Sequence, residues 1–102
     1  MLRGMSPKLL DADQIAARLG ELDGWKQQDG ALARSFQFPD FVTAFGFMTS
    51  VALVAESMNH HPDWSNVYNR VAVKLSTHDA GGITELDFEL AQRMSQLAAG
   101  AG

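Results

Sequence analysis

The chain has 102 residues, which is enough for one domain with a single hydrophobic core. Apolar residues make up 46% and charged residues 20% of the sequence, an ordinary globular composition that excludes a wholly disordered chain. A formal net charge of −4 disfavours a protein that mainly grips nucleic acid phosphates, and the absence of cysteine excludes disulfides, thiolate metal sites and cysteine nucleophiles.

The sequence predicts one domain over residues 1–102, with mobile ends at residues 1–8 and 98–102. No uninterrupted apolar run approaches the roughly 20 residues that cross a bilayer, and residues 1–10 lack the apolar stretch of a secretory signal. We therefore expect no membrane association and a cytoplasmic location.

The first predicted element is a helix over residues 12–22. Asp11 is typical of a helix N-cap, and Gln14 completes a capping box three residues later. The apolar residues that follow have helical spacing.

A β-hairpin is predicted next, with strands over residues 25–28 and 32–38. The pair Asp29-Gly30 between them is a strong two-residue turn signal. Arg34 interrupts the alternation of apolar and polar residues in the second strand.

The longest predicted helix covers residues 41–58, with Asp40 as its N-cap. Two neighbouring apolar stripes cover about half of its circumference, which is wider than one core requires. We expect this helix to pack on a sheet and to contact something else, such as another subunit. One stripe contains Phe41, Phe45, Met48, Ala52 and Ala55, and the other contains Phe47, Val51, Val54 and Met58, with Ala44 between them.

A second hairpin follows Pro62, which prevents a simple continuation of the long helix. Alternating apolar residues predict a strand over residues 71–76, and residues 65–68 could pair with it across Asn69-Arg70. Thr84 is the expected cap of a final helix.

The predicted order is helix, two strands, helix, two strands, helix. Hairpins separated by helices favour an α+β domain in which helices pack on one face of an antiparallel sheet.

The three histidines, His60, His61 and His78, are the main candidates for chemistry. Imidazole is the only side chain whose unperturbed pKa, about 6.5, lets it give and take protons near neutrality. A single histidine is more often structural. An adjacent pair at a helix exit, followed by Pro62, favours a functional site instead.

Two acidic residues could support these imidazoles. Glu56 lies four residues before His60 and would share its helix face if the helix continued that far. Asp87 is directed among apolar residues of the last helix. The ordinary alternatives are a solvated glutamate and an aspartate that joins the cap at Thr84.

The sequence gives less support for other kinds of catalytic site. Three imidazoles and a carboxylate could bind zinc, but the adjacent His60 and His61 cannot easily point at one metal, and HExxH spacing is absent. No GxSxG context accompanies the serines that could act as nucleophiles, Ser57, Ser65 and Ser76. Aromatic residues that could line a flat pocket, but are more often core, are Trp25, Trp64 and Tyr68.

The stretch ESMNHHPDWSNVY, from Glu56 to Tyr68, resembles the signature of the pterin-4a-carbinolamine dehydratases. The resemblance continues through LSTH, which ends at His78, to Asp87, and it includes AFGFMTSVAL in the long helix. It covers nearly the whole of residues 19–97.

This resemblance implies a four-stranded antiparallel sheet with helices on one face, assembled into homodimers or homotetramers. It implies loss of water from 4a-hydroxytetrahydropterin to give quinonoid dihydropterin, without a cofactor or metal. That step belongs to recycling of the tetrahydrobiopterin used by aromatic amino acid hydroxylases.

The resemblance also implies roles for individual residues. His60 and His78 would be the general acid and base, and His61 would bind and orient the pterin. Carboxylates of Glu56 and Asp87 would hold imidazoles in position. Residues that would line or border the same pocket are Asn59, Ser76, Thr77 and Asp79, with Pro62 restraining the backbone and Trp25 at the rim.

Two other functions remain open. Animal members of the family also act as dimerisation partners of a homeodomain transcription factor, so the chain could be a protein-interaction module, without direct nucleic acid contact. A metal-dependent hydrolase would differ from both, because chelators would abolish its activity.

Overall fold

The structure is a computed structural model and describes residues 7–101. Helices and antiparallel strands follow one another in the order α-β-β-α-β-β-α, so the predicted α+β fold is confirmed. The elements are α1 (Ala12–Leu19), β1 (Lys26–Gln28), β2 (Ala31–Gln37), α2 (Phe41–Met58), β3 (Asp63–Val67), β4 (Arg70–Leu75), a 3₁₀ turn (His78–Ala80) and α3 (Glu85–Ala101).

The sheet has the strand order β1-β2-β4-β3, with every neighbouring pair antiparallel. Its inner face carries the apolar half of the alternating pattern, as in the cross-strand pairs Leu32↔Leu75 and Phe36↔Val71. These side chains join α2 and α3 in one buried cluster. The core therefore lies between one face of the sheet and the helices.

Helix α1 begins as predicted, with reciprocal hydrogen bonds of 2.8 Å between Asp11 and Gln14. It ends at Leu19, earlier than the predicted residue 22, because a turn takes over at Gly20. There the amide of Leu22 donates to the Leu19 carbonyl at 3.1 Å.

The first hairpin turns at Asp29 and Gly30, whose φ angles are 54° and 76°. Two positive φ values are what a type I′ turn requires, so the predicted turn is confirmed. The second hairpin turns one residue earlier than predicted, at Tyr68 and Asn69. Tyr68 has a φ of 51°, and the side-chain amide Nδ2 of Asn66 donates to the Tyr68 and Arg70 carbonyls at 3.0 and 2.9 Å.

Helix α2 has the predicted bounds and the predicted cap. The Thr43 amide donates to the Asp40 carboxylate at 2.8 Å and holds the pKa of that carboxyl below its usual value. Its mean hydropathy of 1.5 over 18 residues would allow a membrane span by length and composition. In this fold, however, one face of α2 packs in the core.

The apolar surface of α2 is only partly buried. Its buried residues come from both predicted stripes and from the position between them, namely Ala44, Phe47, Val51 and Ala55. The outer surface still carries four large exposed apolar side chains, Phe41, Val42, Phe45 and Leu53. The excess apolar surface expected from the sequence is therefore present on this helix.

Helix α3 continues through Ala101, whereas the sequence predicted a frayed end from residue 98. Ala98 and Ala101 pack against the core, which explains the extra turn. The expected mobility of residues 1–6 and 102 concerns positions outside the described part of the chain.

Candidate functional site

The end of α2 determines where the adjacent histidines point. Asn59 adopts the left-handed conformation with φ 51°, and the His60 amide reaches back to the Ala55 carbonyl at 3.0 Å. This is a Schellman-type helix end, in which asparagine is tolerated better than most residues. The helix therefore does not continue to His60, and the condition under which Glu56 would share a face with His60 is not met.

The sharp turn buries His60 and leaves His61 exposed. The His60 ring approaches Asp87, with 2.6 Å between Nε2 and Oδ1. Asp87 is 0% exposed and lies in the first turn of α3, directed inward as the sequence predicted. The hydrogen bond therefore joins the end of α2 to the beginning of α3.

The second oxygen of Asp87 is held by two donors. Thr77 Oγ1 and the Thr84 backbone amide each donate to Oδ2 at 2.9 Å. The ordinary alternative for Asp87, a role in the helix cap, is thus confirmed together with its contact to an imidazole. One carboxylate serves both purposes.

The other ring nitrogen of His60 has no hydrogen-bond partner among residues 7–101, whereas Nε2 is held by Asp87. The His60 side chain is 9% exposed, so its ring lies at the edge of the interior and is anchored there through Nε2.

His61 forms the second histidine–carboxylate pair. Its Nε2 lies 2.8 Å from Oε1 of Glu56, and both side chains are exposed. Glu56 therefore contacts His61, whereas the four-residue spacing indicated His60. Solvent competes for this pair, unlike the buried pair at Asp87.

His78 begins the 3₁₀ turn and is also exposed. The loop that carries it is closed by the Thr77 amide, which donates to the Gly82 carbonyl at 2.7 Å. His60 and Thr77, the chain neighbours of His61 and His78, therefore bond to the same carboxylate.

A segment before α1 lies against this loop. The Leu10 amide donates to the Ile83 carbonyl at 3.0 Å. The Leu9 side chain lies so close that a Cβ on Gly82 would be 2.9 Å from it. Residues 9–10 therefore brace the loop that carries His78.

Three of the expected pocket residues, Asn59, Ser76 and Asp79, are exposed next to the histidines. Thr77 is buried instead. Its side chain is bonded to Asp87, and its backbone groups bond within the loop, so its place in the pocket stays a prediction.

Trp25 is also placed differently from the expectation that it lies at the rim. Its indole is buried in the core, and Nε1 donates to Ser95 Oγ at 2.8 Å. Ser95 lies roughly 12 Å beyond Asp87 along α3, at 1.5 Å per residue. Arg34 donates to the same hydroxyl at 3.0 Å and stacks over Phe36, and burial lowers the pKa of its guanidinium.

Thr84 is the residue of this network that sequence reasoning missed as a site residue. It was recognised only as a helix cap, yet its hydroxyl is 2.7 Å from that of Thr77. The signal available was its spacing of three residues from Asp87, which a cap shares.

Residues 7–101 contain no group of three His, Asp or Glu side chains arranged to hold a metal ion. A groove of about 400 Å³ lies on the outer face of the sheet, among Lys26, Asp63 and Lys74. It is separate from the histidine cluster.

Known proteins resemble this chain over most of its length. The sequence profile of a family described as pterin 4 alpha carbinolamine dehydratase matches residues 8–97. A protein of Sinorhizobium fredii is 56% identical over 98 residues, covering 94% of this chain and 93% of its own. One of Solibacter usitatus is 53% identical over 96 residues, covering 94% of this chain and all of its own, 100%. Both are named, provisionally, pterin-4-alpha-carbinolamine dehydratase.

Solved structures show the same fold. The crystal structure of a transcriptional coactivator/pterin dehydratase from Brucella melitensis has a TM-score of 0.86 and 49% identity, covering 87% of this chain and 97% of that one. A pterin dehydratase-like RuBisCO assembly factor of the alpha-carboxysome has a TM-score of 0.60 and 21% identity, covering 72% and 86%. The second likeness concerns the fold alone.

Proposed function

The chain belongs to the pterin-4a-carbinolamine dehydratase family, and on that premise we propose that it removes water from a 4a-hydroxytetrahydropterin by histidine acid–base catalysis. The product is the quinonoid dihydropterin. The observation that carries this proposal is the fixed His60–Asp87 pair, which anchors one ring nitrogen and leaves the other without a partner among residues 7–101.

The reaction needs two proton transfers. The N5 lone pair of the pterin forms a double bond to C4a as the C4a–O bond breaks. Hydroxide is a poor leaving group, so an acid must protonate that oxygen, and water departs. A base takes the proton from N5, and each transfer of this kind typically contributes about 10²–10⁴-fold.

His60 is suited to one of these transfers. With Nε2 committed to Asp87, protons enter and leave through Nδ1. Asp87 fixes the orientation of the ring and stabilises the imidazolium when it forms, as carboxylates do in other acid–base sites. His78 is the candidate for the partner transfer, since it is exposed on the adjacent loop.

The remaining groups bind the pterin in this proposal. His61, oriented by Glu56, contacts the substrate through the ring atoms that Glu56 leaves free. Asn59, Ser76 and Asp79 supply exposed polar groups beside it. The chemistry uses only protons and imidazoles, so we propose no cofactor and no metal.

An assay of the purified protein with enzymatically generated 4a-carbinolamine tests the function. We expect the wild type to accelerate the loss of carbinolamine absorbance. The double variant His60→Ala/His78→Ala should lose this acceleration by at least about 10²-fold, since both proton transfers are removed.

The control is Gln37→Ala, an exposed position on β2 outside the histidine cluster, which should keep full turnover. Circular dichroism checks that all three proteins are folded. Unchanged turnover in the double variant would overturn the proposal. Activity lost to a chelator would favour a metal-dependent hydrolase instead.

Assembly and context are part of the proposal. We propose that a second copy of the chain covers the exposed apolar side chains of α2, as the family's dimers and tetramers suggest. We also propose that the protein works in the cytoplasm, where the product is returned to the tetrahydrobiopterin pool of an aromatic amino acid hydroxylase.

A protein-interaction module is the second candidate function. The Brucella protein is named a transcriptional coactivator as well as a pterin dehydratase, and this name is the observation that favours the second candidate. The exposed face of α2 would then bind a regulator. A partner recovered equally by the wild type and the His60→Ala/His78→Ala variant, without turnover in either, would support this second function over the first.

A further inference from the structure

Thr84 has no place in the proposed chemistry, yet it is 0% exposed and bonded to the group that anchors His60. Its backbone amide donates to Asp87, and its hydroxyl lies 2.7 Å from the hydroxyl of Thr77. The Leu86 amide donates to that same Thr84 hydroxyl at 3.2 Å. The contacts around this hydroxyl determine its hydrogen-bond direction.

Each hydroxyl has a single proton to donate. The Thr77 proton goes to Oδ2 of Asp87, so Thr77 can only accept from Thr84. The Thr84 proton must therefore point at Thr77. The result is a one-way relay from the Leu86 amide through Thr84 and Thr77 to Asp87.

This relay affects the proton between Asp87 and His60. Oδ2 accepts two hydrogen bonds, so the proton in the 2.6 Å contact lies either on Oδ1 of Asp87 or on Nε2 of His60. Donors aimed at the carboxylate stabilise its charged form and so favour Nε2. With the proton on Nε2, neutral His60 presents an unprotonated Nδ1.

From this geometry we propose that Thr84 is a positioning residue that sets the tautomer of His60, acting through Thr77 and Asp87. The catalytic consequence rests on the proposed function, since only the Nε2–H tautomer can accept a proton at Nδ1. The tautomer itself does not depend on that function. Thr84 touches no ligand, because it is fully buried.

The test compares Thr84→Val, which keeps the shape and removes the hydroxyl, with Thr84→Ser, which keeps the hydroxyl. The ring ¹⁵N chemical shifts of His60 report which nitrogen carries the proton when imidazole is neutral. We expect Nε2–H in the wild type and Thr84→Ser, and a measurable gain of Nδ1–H in Thr84→Val. Thr49→Val is the control for this substitution. Thr49 is an exposed residue of α2, and its hydroxyl donates to the Phe45 carbonyl of the same helix, not to the hydrogen bonds around Asp87.

Turnover provides the second measurement. We expect kcat of Thr84→Val to fall about fivefold, the size of one lost hydrogen bond between neutral groups, with KM changed less than about twofold. Thr84→Ser should recover kcat. A Thr84→Val protein with the wild-type tautomer would overturn the proposal, as would one with wild-type kcat in an active enzyme.

The two proposals fail in different ways. If the wild type does not dehydrate the carbinolamine, the proposed function fails, while the ¹⁵N shifts still decide the relay. If Thr84→Val does not fold, neutron diffraction of the deuterated wild type decides it instead. A deuteron on Thr84 directed at Thr77 supports the relay, and one on Thr77 directed at Thr84 overturns it.

Discussion

At the scale of single residues, the site contains two histidine–carboxylate pairs in opposite surroundings. His60 and Asp87 meet in the interior, whereas His61 and Glu56 meet in solvent. A buried pair depends on its partners, because removing one leaves the others desolvated without compensation. An exposed pair loses little, since water replaces the missing partner.

Asp87→Ala should therefore lower the free energy of unfolding by about 3 kcal/mol or more, because three donors, on His60, Thr77 and Thr84, lose their acceptor. Urea denaturation measures the change. Glu56→Ala is the matched control and should stay within about 0.5 kcal/mol of the wild type. Equal effects of the two substitutions would contradict the difference in burial.

The sequence predicted that Asp87 points inward or toward a rim, and that Glu56 shares a face with His60 if the helix continues that far. Helical spacing alone placed Glu56 under His60, and that argument holds only while the helix continues. The left-handed residue Asn59 ends it first. Whether an asparagine adopts this conformation depends on the surrounding packing, which local spacing does not contain.

At the scale of elements, the position of one hairpin turn could be predicted from the sequence and that of the other could not. The first turn forms at Asp29-Gly30, as predicted, because both residues tolerate positive φ. The second turn forms at Tyr68 and Asn69 because the side-chain amide of Asn66 donates to two backbone carbonyls of the turn. Turn propensities do not include such side-chain contacts.

Gly24, between α1 and β1, gives a prediction for this connection. Its φ is 88°, and a Cβ there would lie 2.9 Å from the guanidinium of Arg34. Gly24→Ala should destabilise the protein by about 1 kcal/mol from the backbone. The collision with Arg34 should add about 1–3 kcal/mol more. Thermal or urea unfolding measures the loss.

Gly30→Ala separates these two causes. Gly30 also has a positive φ, of 76°, but a Cβ there would meet nothing within 4 Å. It should show only the backbone cost. In an Arg34→Ala background, Gly24→Ala should approach the cost of Gly30→Ala. A Gly24 penalty that persists without the Arg34 side chain would show that the collision is not its cause.

At the scale of the whole molecule, α2 is both the central core helix and the main exposed apolar surface. The width of its apolar surface could be predicted because helical periodicity assigns residues to faces without knowledge of their contacts. The molecule that covers the outer face could not be predicted, because the sequence of one chain does not identify its partner. Phe45 and Leu53 are exposed on this face.

If a second copy covers this face, Leu53→Glu should shift the protein toward the monomer, since burying an unpaired carboxylate opposes association. Sedimentation velocity over a range of concentrations measures the shift. Val67→Glu, the same kind of change at an exposed site on β3, is the control. A wild type that is monomeric throughout would contradict the proposed assembly.

The brace formed by Leu9 and Leu10 has a practical consequence for anyone who purifies this protein. An affinity tag at the amino end would join the chain shortly before Leu9 and Leu10, which contact the loop that carries His78. Ala101 lies roughly 20 Å from Asp87 along α3, at 1.5 Å per residue. A tag at the carboxyl end therefore leaves the histidines undisturbed, and assays should use that arrangement.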